Sequence, residues 1–491
     1  MTDGNGTVAL AFSGGLDTTV CVPLLEEEYG YDEVIGVTVD VGQPAAEFEE
    51  AEETAAALDL EHHIVDATEA FADLCLRSVQ ANADYQGYPL GTALARPVIA
   101  EAILGVAEEL GCSGIAHGCT GKGNDQLRFE AVWRDSDLEV IAPIRELGLT
   151  REWENEYAAE KDLPVEGGDG GRYSIDANLW SRSIEGSELE DPATIPEDDI
   201  YEWTENPSGK ESELIEIEFD GGIPVAIDGD DQDPVALIEE VNDRAGAHGV
   251  GRTDMMEDRM LGLKVRENYE HPAATVLLTA HEALEGLVLT QEERQFKTGI
   301  DQRWSEKAYE GLVDAPLVDA LEGFIGSTQE RVTGTVTIKV EGGHCRAVAR
   351  ESEYAVYSES AASFNEEAVT GSITQEDATG VAKYHGFQSR LANRVLEQAR
   401  ASASEQAVTG HERVITDERG RHRRDRSPGH RTRRRRTRRR ERRHRRPSRS
   451  LQRWPGPRLS LLARRRRAHL SRRPRGRPRP RRDARRAGDR R

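Results

Sequence analysis

Cysteine is scarce in this 491-residue chain, which has five cysteines and no CxxC pair. They are Cys21, Cys75, Cys112, Cys119 and Cys345. An odd number without paired spacing argues against a disulfide framework and against a zinc site, and it favours a reducing compartment. We therefore expect the cysteines to act as small apolar packing residues.

Long apolar segments are missing too. The chain has no run of eighteen apolar residues, so no transmembrane helix is predicted. Its first seven residues carry no basic charge and lead directly into a strand-like segment, so we expect no signal peptide. These absences predict a cytoplasmic protein without a membrane partner. The length predicts two or three domains of roughly 150 residues each.

Lysine is scarce, and the basic residues are unevenly distributed. The formal net charge is −26, but residues 411–491 contain 36 Arg, no Lys and seven acidic residues, a net charge of +29. Residues 1–410 therefore carry a net charge of −55. Such an acidic body repels itself at low salt and stays soluble at high salt, so we interpret it as salt-adapted rather than as an ordinary acidic enzyme.

Patterns of buried strands alternate with helical patterns over the first 165 residues. Strands of a parallel sheet are expected at residues 7–12, 34–39, 64–65 and 115–116. Helices are expected at 18–28, 47–60 and 97–110, the last with Pro97 at its first position. This alternation predicts a doubly wound α/β sheet.

The pattern changes near residue 165, where glycines indicate a flexible boundary. Beyond it, antiparallel strands are predicted at 214–219, 223–227 and 333–340, and helices at 234–245 and 273–290. We therefore divide the chain into four parts. These are a nucleotide-binding domain at 1–167, an α+β synthetase domain for substrate binding and oligomerisation at 168–380, a C-terminal helix at 381–405 and an Arg-rich tail at 406–491.

Three interpretations of the Arg-rich tail stay open. It could bind nucleic acid through phosphates, it could be a disordered, solvated arm, or it could come from a GC-rich gene read in a shifted frame. The last interpretation fits best, because the tail uses Arg without Lys behind a body with few basic residues. Nucleic acid is therefore not an expected partner unless the tail is genuine.

A glycine turn follows the first predicted strand, with the sequence Ser13-Gly14-Gly15-Leu16-Asp17-Thr18-Thr19. The two glycines let backbone N–H groups converge on an anion, and the next helix adds its dipole. The loop is thus a predicted phosphate cradle, although it lacks the Gly-Lys-Ser/Thr ending of a Walker loop. Asp17 has two interpretations, a helix cap and a ligand of Mg²⁺ beside a polyphosphate.

A second glycine-rich loop runs from Gly118 to Gln126, after the strand at 115–116. The amide of Asn124 can donate and accept, Asp125 offers a carboxylate, and Arg128 offers a planar fork. Such groups suit a zwitterionic amino acid. Asp125 would bind its ammonium, Asn124 and Thr120 its polar groups, and Arg128 a carboxylate.

These motifs resemble the argininosuccinate synthase family, within the ATP pyrophosphatase superfamily. The resemblance depends on SGGLDTT at 13–19, YPLGTALARP at 88–97 and AHGCTGKGNDQLRFE at 116–130. Shorter similar stretches lie at 174–179, 249–254, 257–259, 264–270 and 377–380. The likeness spans about residues 7–400, and nothing in the family corresponds to the tail.

The resemblance implies that citrulline, aspartate and ATP give argininosuccinate, AMP and pyrophosphate through a citrulline adenylate, in arginine biosynthesis. It also implies ATP with Mg²⁺ as the nucleotide substrate, no bound prosthetic group, no metal held by the protein alone, and a homotetramer. The implied ATP contacts are Ala11, Phe12, Ser13, Gly14, Gly15, Leu16, Asp17, Thr18, Thr19, Val39 and Gly118. The implied aspartate contacts are Thr120, Asn124, Asp125 and Arg96. The implied citrulline contacts are Tyr88, Asn124, Arg128, Ser174, Ser183, Glu257 and Tyr269.

Catalytic roles are implied for Asp17, Asp125 and Lys122. Asp125 and the departing phosphate are both candidate acceptors of the proton from the aspartate amine. His117 is expected to shape its loop rather than to act as a base.

Three positions depart from the family pattern, with Ala93 where Ser is common, Phe12 where Tyr is frequent and Val39 where Ala is often found. Backbone contacts can survive these changes, so we still expect activity. The alternative enzyme is another ATP pyrophosphatase, such as an amide-forming synthetase or a tRNA thiolase. We see no glutaminase signature for the first and no paired cysteines for the second.

Overall fold

The computed structural model describes residues 5–165, 172–362, 368–370 and 373–420. The predicted domain boundary at 167/168 and the Arg-rich tail from residue 421 onward lie outside these residues. The described chain forms two compact units, one up to Tyr357 and one from Ser358 onward.

In chain order, the strands of the first unit are β1 (Thr7–Ala11), β2 (Glu33–Asp40), β3 (Glu61–Asp66), β4 (Asp84–Tyr85), β5 (Tyr88–Pro89), β6 (Gly114–Ala116), β7 (Glu139–Ile141), β8 (Ser174–Ala177), β9 (Arg182–Glu185), β10 (Glu213–Asp220), β11 (Ile223–Ile227), β12 (Asp230–Asp231), β13 (Arg252–Asp258), β14 (Lys264–Glu270), β15 (Gly334–Glu341) and β16 (His344–Glu351). Its helices are α1 (Leu16–Glu27), α2 (Ala45–Ala57), α3 (Thr68–Gln80), α4 (Thr92–Leu110), α5 (Asp125–Trp133), α6 (Pro143–Glu146), α7 (Arg151–Glu160), α8 (Pro234–Ala247), α9 (Pro272–Val288), α10 (Gln291–Tyr309) and α11 (Pro316–Gln329).

Five parallel strands form a sheet in the order β3-β2-β1-β6-β7. Successive side chains on a strand enter different cores, because strand side chains alternate between faces. Ala9 and Ile115 pack with residues of α3 and α4, whereas Val8, Leu10 and Ala116 pack with residues of α1 and α7. Helices therefore cover both faces, which confirms the predicted doubly wound sheet.

The centre of this sheet is also where its strand order reverses. The chain passes from β1 outward through β2 and β3 on one side, and through β6 and β7 on the other. In open α/β sheets, ligands bind outside the carboxyl ends of the strands at such a point. The two glycine-rich loops leave β1 and β6 at this point, so the topology brings both motifs to one crevice.

Two antiparallel sheets make up much of the rest of the first unit, in the orders β12-β11-β10-β15-β16 and β13-β14-β9-β8. Strands β10, β11 and β15 and helices α8 and α9 lie at the predicted positions. The sequence patterns did not predict β8, β9, β13 and β14, which form the antiparallel sheet that lines the site.

Helix α4 begins at Thr92, so the prediction that Pro97 starts this helix is wrong. Proline inside a helix removes the hydrogen bond to the carbonyl four residues earlier, here that of Ala93. The extra turn still forms because Ala93, Leu94 and Ala95 are fully buried in the core. Burial of that turn therefore outweighs the one lost backbone hydrogen bond.

The second unit contains α12 (Glu359–Ala362), β17 (Ala368–Thr370), β18 (Ile373–Thr374), α13 (Asp377–Tyr384) and α14 (Phe387–Gly420). Helix α14 extends beyond residue 405, where the C-terminal helix was predicted to end. Residues 406–420 contain no proline, and six of these fifteen residues are Ala, Gln, Glu or Arg, which favour helix. Among the helices that the structure describes, none is both long and apolar enough to span a membrane.

Candidate active site

A cavity of about 730 Å³ opens where the loops after β1 and β6 meet strands β8, β9, β13 and β14. Its volume lies within the range of small-molecule sites. All predicted site residues line it except three, which are Gly14, Thr19 and Lys122. Residues predicted for ATP, aspartate and citrulline therefore share one cavity.

The loop between β1 and α1 is held in shape by its own hydroxyl groups. The backbone N–H of Ser13 donates to Thr18 Oγ1 at 3.3 Å, and Thr18 Oγ1 donates to the Gly15 carbonyl at 3.2 Å. Thr19 is buried and donates to the Gly14 carbonyl at 3.1 Å. A Cβ on Gly14, whose φ is +79°, would lie 2.8 Å from the backbone of α2, so only glycine fits there. Gly14 and Thr19 thus shape the cradle without lining the cavity.

The two glycine-rich loops touch each other. A Cβ on Gly118 would lie 3.2 Å from the carbonyl carbon of Asp17 and from Cγ2 of Thr18. On the adjoining wall, the Phe12 carbonyl accepts a hydrogen bond from Thr38 Oγ1 at 2.6 Å. The buried side chain of Val39 lines the same wall. The close approach of the loops places both predicted motifs at one wall of the cavity.

Asp125 is held between two guanidinium groups. Its Oδ2 accepts from Arg96 Nε and its Oδ1 from Arg128 Nη1, each at 2.9 Å. Arg96 also pairs with Asp176. Burial acts to raise the pKa of Asp125, but the two arginines outweigh burial and hold that pKa below its ordinary value. Asp125 is therefore an ionised carboxylate that already has two partners.

Aromatic side chains form a second wall around Glu257. The rings of Tyr88 and Tyr269 stack with centroids 4.4 Å apart, and Tyr269 Oη donates to Glu257 Oε2 at 2.8 Å. Tyr309 Oη donates to the other Glu257 oxygen and accepts from Asn124 Nδ2 at 2.8 Å. Burial raises the pKa of Tyr269 and of Tyr309 above the ordinary value, so both stay protonated donors. Glu257 is thus a buried carboxylate fixed by two phenols.

The strands β8 and β9 bring Ser174 and Ser183 to the cavity, and Ser183 Oγ lies 3.5 Å from the Asp176 carbonyl oxygen. Near them, Arg259 pairs with Glu185 at 2.6 Å and with Glu267 at 2.5 Å. Burial, and then the charge of Glu185, raise the pKa of Glu267 to about 9. This end of the cavity is therefore lined by hydroxyls, by the ion pair of Arg259 with Glu185 and by the buried carboxyl of Glu267, whose neutral form is favoured.

At the cradle end, Asp17 Oδ1 pairs with Arg151 Nη1 at 2.5 Å. Glu154, three residues further along α7, is buried, and its Oε2 has no hydrogen-bond partner among the described residues. Burial, and then the facing carboxyl of Asp17, raise the pKa of Glu154 to about 7, while Arg151 opposes the shift. An ion pair and a buried acid therefore border the phosphate cradle.

His117 and Lys122, at the second glycine-rich loop, differ in their burial. His117 is fully buried, its Nδ1 accepts from the Cys119 backbone N–H at 3.2 Å, and its ring packs against Phe129 and Trp133. It therefore holds the loop, as predicted. Lys122 is exposed, so the catalytic role predicted for it has no support from the lining of the cavity.

Several residues that line the cavity were not singled out from the sequence, namely Glu47, Arg151, Asp176, Glu185, Arg259 and Glu267. Asp176, Arg259 and Glu267 fall within the shorter similar stretches, so those stretches could have indicated them. Arg151 and Glu47 belong to no motif, and only the packing of α7 and α2 places them at the site.

Two family models match the chain. The arginosuccinate synthase N-terminal HUP domain matches residues 7–164, and the arginosuccinate synthase C-terminal domain matches residues 173–392. Three proteins named argininosuccinate synthase are similar over most of the chain. The protein of Haloarcula marismortui is 80% identical over 404 residues, which covers 82% of this chain and 96% of the relative. Those of Natronomonas pharaonis and Halobacterium salinarum are 75% and 71% identical, covering 81% and 80% of this chain and 99% of each relative.

Proposed function

The chain belongs to the argininosuccinate synthase family, and we infer from this membership that it is an ATP-dependent carbon–nitrogen ligase of arginine biosynthesis. It joins L-citrulline to L-aspartate to give argininosuccinate, while ATP is cleaved to AMP and pyrophosphate through a citrulline adenylate. The observation that best supports this reaction at this site is the single cavity lined by both glycine-rich loops and by β8, β9, β13 and β14. Relatives from salt-loving archaea match a salt-adapted, acidic chain.

We place the polyphosphate of ATP at the cradle between β1 and α1. Backbone N–H groups and the N-terminus of α1 converge there, and both favour an anion. ATP is the nucleotide substrate, and Mg²⁺ with it is our proposal. Mg²⁺ usually binds through one or two carboxylates together with phosphates and water, and Asp17 supplies a carboxylate beside the cradle. When bound, the ion would neutralise charge that develops on the pyrophosphate.

We place citrulline against the aromatic wall and the serines of β8 and β9. Glu257 has both oxygens fixed by phenols, so it is a rigid acceptor for an N–H of the substrate. Arg128 uses Nε on the Tyr309 carbonyl and Nη1 on Asp125, which leaves Nη2 without a partner among the described residues. That nitrogen suits a substrate carboxylate. Tyr88, Tyr269, Ser174 and Ser183 complete this proposed subsite.

We place aspartate between the loop at Thr120 and the cluster of Asp125 and Arg96. The ionised Asp125 suits an ammonium group, and Arg96 suits a carboxylate. Asn124 has both ends of its amide engaged, with Tyr309 and with the backbone N–H of Met260 at 3.1 Å. Its contribution to substrate binding is therefore coupled to the aromatic wall.

The chemistry in this arrangement is mostly positioning and neutralisation of charge. The urea oxygen of citrulline attacks the α-phosphorus, pyrophosphate departs, and the aspartate amine then displaces AMP from the activated carbon. The amine must first lose a proton. Asp125 is a poor acceptor because both of its oxygens already bind guanidinium groups, and its pKa is below the ordinary value. We therefore favour the departing phosphate as the proton acceptor.

Two further properties of the protein, its oligomeric state and its location in the cell, are proposed with the reaction. We propose a homotetramer, as the family resemblance implies. We also propose a cytoplasmic location, for which the five cysteines, all free, are the supporting observation.

The test is AMP and pyrophosphate release by the full chain in molar potassium chloride, with citrulline and aspartate supplied singly and together. We expect release only with both amino acids, and argininosuccinate should appear in step with AMP. Release without them, or with another nucleophile alone, would favour a different ATP pyrophosphatase reaction.

A further inference from the structure

Arginine supplies the positive side chains that line the active-site cavity in the described part of the chain, and one of these arginines, Arg151, lies beside the phosphate cradle. Apart from His117, the basic residues that line the cavity within the described chain are Arg96, Arg128, Arg151 and Arg259. The cradle itself contains no lysine, unlike a Walker loop. A polyphosphate bound there must therefore find its cationic side chain elsewhere.

Three of these arginines are already committed to other partners. Arg96 binds Asp125 and Asp176, Arg128 binds Asp125 and the Tyr309 carbonyl, and Arg259 binds Glu185 and Glu267. These contacts lie at the amino-acid end of the cavity. They leave the cradle end to the remaining arginine.

Arg151 differs from the other three in its exposure and in its number of partners. Its side chain is 58% exposed and, among the described residues, forms an ion pair with Asp17 alone, whose side chain is 36% exposed. An exposed ion pair of this kind is weak. A guanidinium gains more from phosphate oxygens, which it can bind through two parallel N–H groups. Arg151 can therefore exchange Asp17 for a phosphate at little cost.

The position of Arg151 in its helix also favours an anionic ligand. Thr150 caps α7, accepting from the Trp153 backbone N–H at 3.3 Å, so Arg151 is the first helical residue. A cation at the N-terminus of a helix is unfavourable to the helix dipole. Neither capping nor the dipole therefore accounts for an arginine at the first position of α7. Helix α7 packs against α1, and this packing directs the first turn of α7 to the cradle.

We propose that Arg151 is a further ATP-binding residue, which contacts the β- and γ-phosphates and the departing pyrophosphate. Before nucleotide binds, Asp17 holds the guanidinium at the edge of the cradle. When the polyphosphate enters, the guanidinium moves to it and the Asp17 carboxylate is released. This inference rests on the proposed placement of ATP in the cradle.

The experiment compares Arg151→Gln and Arg151→Lys with the full wild-type chain, at one fixed concentration of potassium chloride. The measured quantities are the dissociation constants of ATP, of inorganic pyrophosphate and of AMP, by calorimetry without amino acids. We expect Arg151→Gln to raise the dissociation constants of ATP and pyrophosphate about tenfold or more, and to change the dissociation constant of AMP less than about twofold. Arg151→Lys should recover part of the loss, because it restores the charge without the fork.

Arg303 provides a matched control. Its side chain is 55% exposed and pairs with Glu306 at 2.5 Å, much as Arg151 pairs with Asp17, but it does not line the cavity. Arg303→Gln should leave all three constants unchanged. If Arg151→Gln weakened the binding of AMP and of ATP equally, the effect would be structural and the proposal would be overturned. Unchanged affinities for ATP and pyrophosphate would also overturn it. Failure of the wild-type chain to bind ATP would instead contradict the proposed function.

Discussion

Asp125 illustrates, at the scale of single residues, how neighbours decide what a carboxylate can do. A carboxylate in a glycine-rich loop is equally able to bind an ammonium group or to accept a proton. The two guanidinium groups on Asp125 keep it ionised, which suits binding and disfavours proton transfer. The sequence alone could not decide this, because Arg96 and Arg128 lie on different helices.

Asp125→Asn is expected to lower kcat/KM for aspartate by about two orders of magnitude or more, since it also leaves the buried Arg128 guanidinium without its carboxylate partner and leaves Arg96 with Asp176 alone. The shape of the pH–rate profile between pH 5 and pH 8 should not change, because a carboxyl with a lowered pKa stays ionised throughout that range. The measurement is kcat and kcat/KM against pH for both proteins. Asp135→Asn, an exposed change just beyond the same helix, is the control. Loss of a pH-dependent limb in the Asp125 variant would restore Asp125 as the proton acceptor.

Glu154 should make stability depend on pH. Its folded-state pKa of about 7 lies above its ordinary value of 4.5, so between these values the folded chain binds more protons than the unfolded chain. The contribution of Glu154 to the free energy of unfolding is therefore fully present below pH 4.5 and is lost as pH rises through about 7. Glu154→Gln removes the dependence and should stabilise the protein at pH 8 relative to wild type, by on the order of 1–3 kcal/mol. The measurement is the melting temperature of both proteins at pH 5 and pH 8 in the same salt. A difference between the two proteins that stays constant with pH would contradict the assignment.

At the scale of elements, substitution by alanine should change stability in opposite directions at a glycine of the cradle and at a glycine inside a helix. Gly14 needs a positive φ and has the backbone of α2 within 2.8 Å of any Cβ, so Gly14→Ala should destabilise by roughly 2 kcal/mol or more. Gly105 lies inside α4 with open space around a Cβ, so Gly105→Ala should stabilise by about 0.5–1 kcal/mol. Thermal unfolding of both variants measures the difference. A Gly14→Ala variant as stable as wild type would mean that the loop rearranges to accept the side chain, and a destabilised Gly105→Ala variant would contradict the prediction for α4.

Four of the five strands of the parallel sheet were predictable, because β1, β2 and β6 are short apolar runs and β3 contains the apolar pair Ile64-Val65, whereas the three-residue strand β7 was not predicted. The same runs placed the two glycine-rich loops, and the strand-order reversal brought them together. Strands β8, β9, β13 and β14 were not predictable, because their residues are largely polar and charged. In β14 the buried side chains include Arg266, Glu267 and Asn268, whose burial depends on partners in other elements. Arg151 was missed for the same reason, since its role depends on how α7 packs on α1.

At the scale of the whole chain, two segments of opposite charge are joined. Residues 421–491 contain 34 Arg and four acidic residues, a net charge of +30, so residues 1–420 carry −56. The related proteins match 79–82% of this chain while 96–99% of their own length is covered. The family models end at residue 392, so catalysis should not depend on the basic segment.

Complementary charge should make the full chain associate with itself at low salt. At 0.1 M potassium chloride the Debye length is about 10 Å, and at 1 M it falls to about 3 Å, so the attraction between segments is screened as salt rises. We expect the full chain to form larger assemblies at 0.1 M than at 2 M, and a chain ending at Gly420 to lack these assemblies at both concentrations. Sedimentation velocity measures the sizes, and kcat at 2 M should be equal for the two chains. If the basic segment instead binds nucleic acid, RNA added in 0.1 M potassium chloride should dissolve the assemblies. The logarithm of the affinity of the full chain for RNA should then fall steeply and linearly with the logarithm of the salt concentration.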